Sequence, residues 1–170
     1  MSMLFDDPYK GTAEFSDDEV YRYTLTRQWA DGPCVAFICY NPSTATAETD
    51  DHTIIKAIGF AKHWGFGKLC ILNLYAIRGT DPRTPARHAS PIGEKNDYYI
   101  GLTCAQADEI VFAWGCAQHM KSINARIEQV QAILTALGKS PVCLGYRQDG
   151  HPRHPLMLKY DTPREAFKRR

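Results

Sequence analysis

Three short runs of almost unbroken apolar residues limit what this chain can fold into: Cys34-Val-Ala-Phe-Ile-Cys-Tyr40, Leu69-Cys-Ile-Leu-Asn-Leu-Tyr75 and Glu109-Ile-Val-Phe-Ala-Trp114. A strand with one wet face alternates polar and apolar residues. These runs do not, so they read as strands covered on both faces, as in a parallel sheet between helices. The segments between them have helical periodicity. Asp51 is a possible N-cap for a helix whose apolar residues Ile54, Ile58, Ala61 and Trp64 share a face, with Gly65 and Gly67 as its stop. A second helix is expected over about Glu94–Ala107. The clearest runs from about Gln118 to Leu137, with Ile123, Ile127, Val130, Leu134 and Leu137 spaced 4, 3, 4 and 3 apart. A shorter run, Tyr21–Leu25, precedes the first core strand, and Pro141–Gly145 forms a last short one. The β-α-β-α-β-α-β alternation predicts an α/β fold, a three-layer sandwich with a mainly parallel four- to five-stranded sheet.

Length and charge narrow the class further. At 170 residues and 44% apolar, the chain suits one domain with a real core. We divide it into an acidic N-terminal leader, residues 1–20, and a single α/β domain, residues 21–170, with a basic C-terminal tail. The leader holds six acids and one lysine, whereas residues 147–170 hold seven Lys or Arg against three acids. The tail could meet phosphates or be plainly solvated. No apolar run approaches the roughly 20 residues that span a bilayer, and residues 1–10 lack the hydrophobic stretch of a secretory signal. A cytoplasmic location and no membrane partner are expected. The six cysteines form no CxxC pair and read as buried free thiols in a reducing compartment.

In an open parallel sheet, ligands bind beyond the carboxyl ends of the strands. The residues at the end of each run therefore form the place to look: Tyr40-Asn41-Pro42-Ser43, then Asn73-Leu74-Tyr75, then Trp114-Gly115, then the loop His151-Pro152-Arg153-His154. Asn73 interrupts an apolar strand. A buried amide left unpaired costs about 1–3 kcal/mol, so Asn73 either bonds a nearby loop or reads a ligand, its donor and acceptor matching a nucleobase edge. Asn41 either forms a turn with Pro42 or is held rigid by it to position a water. Asp51 caps its helix in the plainest account, leaving Asp50 to lean into the cleft as a base or a sugar ligand. His151 and His154 suit a general acid or electrostatic stabiliser better than metal ligands, since no third ligand lies nearby. Trp114 reads as the floor of the cleft. Tyr40 and Tyr75 either wall the cleft or stack on a base.

Taken together, the motifs Asn41-Pro42-Ser43-Thr44-Ala45, Asp50-Asp51, Asn73-Leu74, Trp114-Gly115 and Gly150-His151-Pro152-Arg153-His154-Pro155-Leu156 resemble a bacterial and phage family of domains of unknown function, from about Tyr23 to Leu158. Their order also resembles that of the uracil-DNA glycosylase superfamily. In that superfamily Asn41-Pro42 would match the water-activating loop, Asn73 the base reader, Val111–Gly115 with Ala117 the strand closing in Trp-Gly, and His154-Pro155 or His151-Pro152 the loop that stabilises the departing base. Some members carry a four-cysteine iron–sulfur cluster, whose spacing is not repeated here, and no cofactor or metal is expected.

The resemblance implies a uracil-DNA glycosylase-like fold and an N-glycosidic hydrolase acting on a nucleobase-containing substrate, nucleic acid or nucleotide. Asn41, Asp50, His151 and His154 would be catalytic. Tyr40, Pro42, Ser43, Asn73, Tyr75, Trp114, Gly115 and Arg153 would bind the substrate. Two alternatives stay open: a non-catalytic nucleotide or modified-base binding module, of a kind suited to phage–host conflict, and another His/Asp-dependent hydrolase or transferase on the same scaffold. The oligomeric state is open as well.

Overall fold

The computed structural model describes residues 10–170, so residues 1–9 of the expected acidic leader lie outside the described residues. The strands are β1 (Lys10–Phe15), β2 (Arg22–Gln28), β3 (Cys34–Cys39), β4 (Lys68–Asn73), β5 (Glu109–Phe112), β6 (Val142–Cys143) and β7 (Glu165–Ala166). The helices are α1 (His52–His63), α2 (Thr84–Arg87), α3 (Asn96–Gln106) and α4 (Ile123–Ala136), and a 3-10 turn spans Pro155–Met157.

The described strands form one seven-stranded sheet in the order β1-β2-β4-β3-β5-β6-β7. The expectation of a mainly parallel sheet of four or five strands is corrected by this topology. β4, β3, β5 and β6 run parallel, but β1–β2, β2–β4 and β6–β7 pair antiparallel, three of the six pairings. For β1 and β2 connection length is the physical reason. A parallel crossover needs a dozen or more residues, usually with a helix. Only residues 29–33 join β2 to β3, and only 16–21 join β1 to β2. Residues 10–15, expected in the leader, are thus an edge strand, and part of the expected basic tail is β7.

The parallel block does behave as its apolar runs require. On β3, Val35, Phe37 and Cys39 pack with Ile54, Ala57, Phe60 and Ala61 of α1. Ala36, Ile38 and Tyr40 point to the other face, with Ile100 and Cys104 of α3 and Ile123, Ile127, Val130 and Leu134 of α4. Helices therefore cover both faces of the strands that carry uniform apolar sequence. α1 starts where its cap predicts: the Asp51 carboxylate accepts from the Ile54 amide at 3.0 Å. α4 begins five residues later than its periodicity suggests, at Ile123 rather than Gln118.

Within the parallel block the chain leaves β3 for β4 on one side, then returns to β5 on the other. The loops after β3 and β5 must diverge, and such a switch point opens a crevice at the carboxyl edge. Among the described residues, no helix is long and apolar enough to cross a membrane.

Candidate functional site

A cleft of about 170 Å³ occupies that switch point, walled by Tyr40, Asn41, Ser43, Asn73, Trp114 and His154 together with Arg22, Cys39, Asp51, Thr53, Ile54, Ile71, Pro82 and Cys116. An apolar cavity of roughly 150 Å³ admits a benzene ring, so this cleft takes one small flat ring. It draws on four separate loops and on β2.

Asn73 ends β4 opposite Cys39 of β3 and is 1% exposed. Its side-chain amide nitrogen has no hydrogen-bond partner among the described residues. Its own carbonyl is fully engaged elsewhere: the Asn96 amide donates to it at 3.0 Å and to the Leu74 carbonyl at 3.2 Å, and Arg126 Nε also reaches Leu74 at 2.7 Å. The backbone at the strand end is held firmly while the side chain is left unsatisfied.

Tyr40 carries a second donor without a partner among the described residues, its hydroxyl, with burial pushing its pKa up to about 12. Asn41 donates its amide to the Gly79 carbonyl at 3.0 Å, which commits the nitrogen and leaves the oxygen as the free acceptor. Trp114, 2% exposed, floors the cleft and packs against Phe112 and Phe167.

His154 and His151 are separated by Trp114. His154 lines the cleft; its Nδ1 accepts from the Leu156 amide at 3.2 Å, so the neutral ring carries its proton on Nε2. Burial pushes this histidine below its usual pKa, with the Asp51 carboxylate opposing the shift. His151 meets the nitrogen edge of the indole, where its Nδ1 accepts from Trp114 Nε1 at 3.3 Å, and lines another cavity of about 140 Å³ with Asp149, Arg169 and Arg170. Gly115 does not line the cleft but fixes its wall. Its φ is +66°, and a Cβ there would sit 2.8 Å from His154 Cβ.

Several expected site residues are placed elsewhere. Asp50 does not reach the cleft, because it pairs with buried Arg27 at 2.8 Å. Asp51 takes that place, lining the cleft while it caps α1. Tyr75 is 1% exposed and packs edge-on against Tyr40, centroids 5.4 Å apart, because its amide extends the ladder to the Tyr40 carbonyl. The two rings therefore leave no slot for a base between them. Pro42 is buried behind the wall, its carbonyl accepting from the Gly79 amide at 2.9 Å. Arg153 is exposed and meets the late loop through its backbone, at Gly145.

Arg22 was not legible as a site residue. It is 2% exposed, its Nη1 donates to the Ala45 carbonyl at 2.9 Å, and its Nε has no partner among the described residues. Burial pulls its pKa down to about 10, with Asp51 opposing. The one available signal was a charged residue inside a short β-like run. Cys39, also unforeseen, stays a protonated thiol, its pKa pushed up to about 12 by burial. No cluster of three or more metal-ligating side chains occurs among the described residues.

A family model described as "Protein of unknown function (DUF1643)" matches residues 22–156. No curated protein and no solved structure matches the chain.

Proposed function

We propose, for a chain that belongs to the DUF1643 family of proteins of unknown function, that the cleft binds a nucleobase and hydrolyses its N-glycosidic bond. The observation that carries this reading is the buried side-chain amide of Asn73, a residue that lines the cleft and whose nitrogen has no partner among the described residues. A buried donor without a partner costs about 1–3 kcal/mol. A strand whose backbone is so well supported retains such a donor where a ligand supplies the acceptor.

The remaining groups then take consistent roles. The base lies over Trp114 with an acceptor on Asn73 Nδ2. The Asn41 carbonyl oxygen and the Asp51 carboxylate hold a water near the sugar carbon; Asp51 takes its proton as the C–N bond breaks and the water oxygen bonds to carbon. The bonding electrons leave with the base, and neutral His154 offers Nε2–H to the charge that develops there. On this reading the chain is a divergent relative of the uracil-DNA glycosylase superfamily, as its motif order suggests. The leaving-group role falls to His154 rather than His151, and the water's base is Asp51 rather than Asp50.

The same unpartnered donors suit a binding module that never hydrolyses, and one assay panel separates the two. Purified protein is incubated with single- and double-stranded DNA and RNA bearing uracil, hypoxanthine or mismatches, and with free nucleotides. Release of free base, lost in Asp51→Asn and His154→Ala, supports hydrolysis. Tight binding without release supports the module, and inertness toward every substrate overturns both.

A further inference from the structure

Away from the cleft, toward the amino ends of the same parallel strands, two thiols meet. Cys34 opens β3 and Cys70 lies on β4. The parallel register sets Cys34 beside Lys68 and Ala36 beside Cys70. Cys34 and Cys70 are therefore diagonal neighbours whose side chains leave the same face of the sheet. Their Sγ atoms lie 3.6 Å apart. Cys70 is buried, whereas Cys34 reaches the surface in part. The Cys34 backbone is clamped: its amide donates to the Asp108 carboxylate at 2.7 Å, and its carbonyl accepts from the Asp108 amide at 2.9 Å. A buried free cysteine ordinarily serves as a small apolar filler. Here one sulfur is open to a reagent and the other stands in contact behind it.

The two thiols also differ in character. The hydrogen bond from the Cys70 thiol pulls Cys34 below the usual thiol pKa, against its burial; Lys68 assists and Asp108 opposes. The same hydrogen bond and burial hold Cys70 above the ordinary range. Cys34 is thus the sulfur that presents a thiolate to an oxidant.

We propose that Cys34 and Cys70 form an oxidation site, a dithiol that a hydroperoxide converts to a disulfide. It stands independently of base binding in the cleft. The Cys34 thiolate attacks one peroxide oxygen; an S–O bond forms and the O–O bond breaks. Cys34 becomes a sulfenic acid, and the departing oxygen takes up the proton that the thiol gave up. The Cys70 sulfur then attacks the Cys34 sulfur. The S–S bond forms, the S–O bond breaks, and the hydroxide leaves as water with the Cys70 proton. Two thiols are oxidised by two electrons, and one peroxide is reduced. With the backbone held at Asp108, rotation of the side chains closes the sulfurs to a bond of about 2.0 Å.

Peptide mapping tests this. The reduced full chain is treated with hydrogen peroxide, its remaining thiols are alkylated with iodoacetamide in denaturant, and the digest is read by mass spectrometry. Cys34 and Cys70 should lose their alkylated signals together and appear as one bridged peptide pair, and dithiothreitol should restore both. In Cys70→Ala no bridge forms, and dimedone should trap the sulfenic acid on Cys34. If Cys70→Ala does not fold, the wild-type map alone decides. Cys34 driven to sulfinic acid while Cys70 stays alkylatable, a bridge from Cys34 to Cys104 instead, or an unreactive Cys34 overturns the proposal.

Discussion

Asn73→Leu separates what the cleft needs from what the fold needs. Leucine keeps the shape of the side chain and removes a buried donor that nothing among the described residues satisfies. Stability should hold or rise by roughly 1 kcal/mol in urea denaturation, while base binding is lost. A large drop in stability would mean that the amide has a structural partner. Gly115→Ala should do the opposite. It forces a side chain onto a backbone at φ +66° and against His154 Cβ, at about 1–3 kcal/mol, and it displaces the imidazole from the cleft. His154 also leaves a mark on the pH dependence of stability. Its folded-state pKa is depressed by burial, so between that value and the ordinary imidazole pKa the unfolded chain binds more protons. Its contribution is therefore complete above the ordinary histidine range and is lost as pH falls through the depressed folded value. Denaturation midpoints of wild type and His154→Gln, followed downward from pH 8, should diverge in that window and nowhere above it.

The element that organises the site is β2, the strand whose direction the sequence did not reveal. Because β2 runs antiparallel to β4, its first residue, Arg22, lies at the carboxyl edge of the parallel block. A parallel β2 would have put Arg22 at the opposite end of the sheet, away from the cleft. Arg27, farther along the same strand and fully buried, ties down the loop that carries Asp51: its Nη2 donates to the carbonyls of Thr46 and Thr49, and its Nε to Asp50. Gly11 of β1 leaves the room, since a Cβ there would lie 2.1 Å from the Ala47 carbonyl oxygen. Arg27→Leu strands Asp50 and the loop carbonyls, so it should destabilise by about 3 kcal/mol and speed hydrogen exchange across residues 45–51. Unchanged exchange there would show that the loop holds itself. The core strands and α1 were legible because an apolar run or a capped 3.6-residue period is a local property. The edge strands were not. β1 reads Lys-Gly-Thr-Ala-Glu-Phe and β7 has two residues, too polar or too short to stand out from a loop.

At the scale of the whole molecule, burial sorts six free cysteines into two groups. Cys39, Cys70, Cys104 and Cys143 are buried; Cys34 and Cys116 are partly exposed. A thiol reagent such as DTNB should therefore label two cysteines quickly in the native protein and the other four only on unfolding. A heterocycle in the cleft should protect Cys116, which lines it, and leave Cys34 reactive. Protection of neither would place the ligand elsewhere. Such sorting arises from a pattern already present in the chain: uniform apolar runs had to be covered on both faces, and the polar residues that end them had to gather at one edge of whatever sheet the runs formed. So far the sequence by itself determined the protein, because hydrophobicity and periodicity need no knowledge of distant residues. Tertiary structure decided which of two adjacent carboxylates meets the cleft, which of two histidines three residues apart stays on its side of Trp114, and that an arginine from an outer strand joins them. Those outcomes depend on strand direction, on connections too short to cross over, and on which buried charge finds a partner across the fold, and none of these is a property of any one stretch of chain.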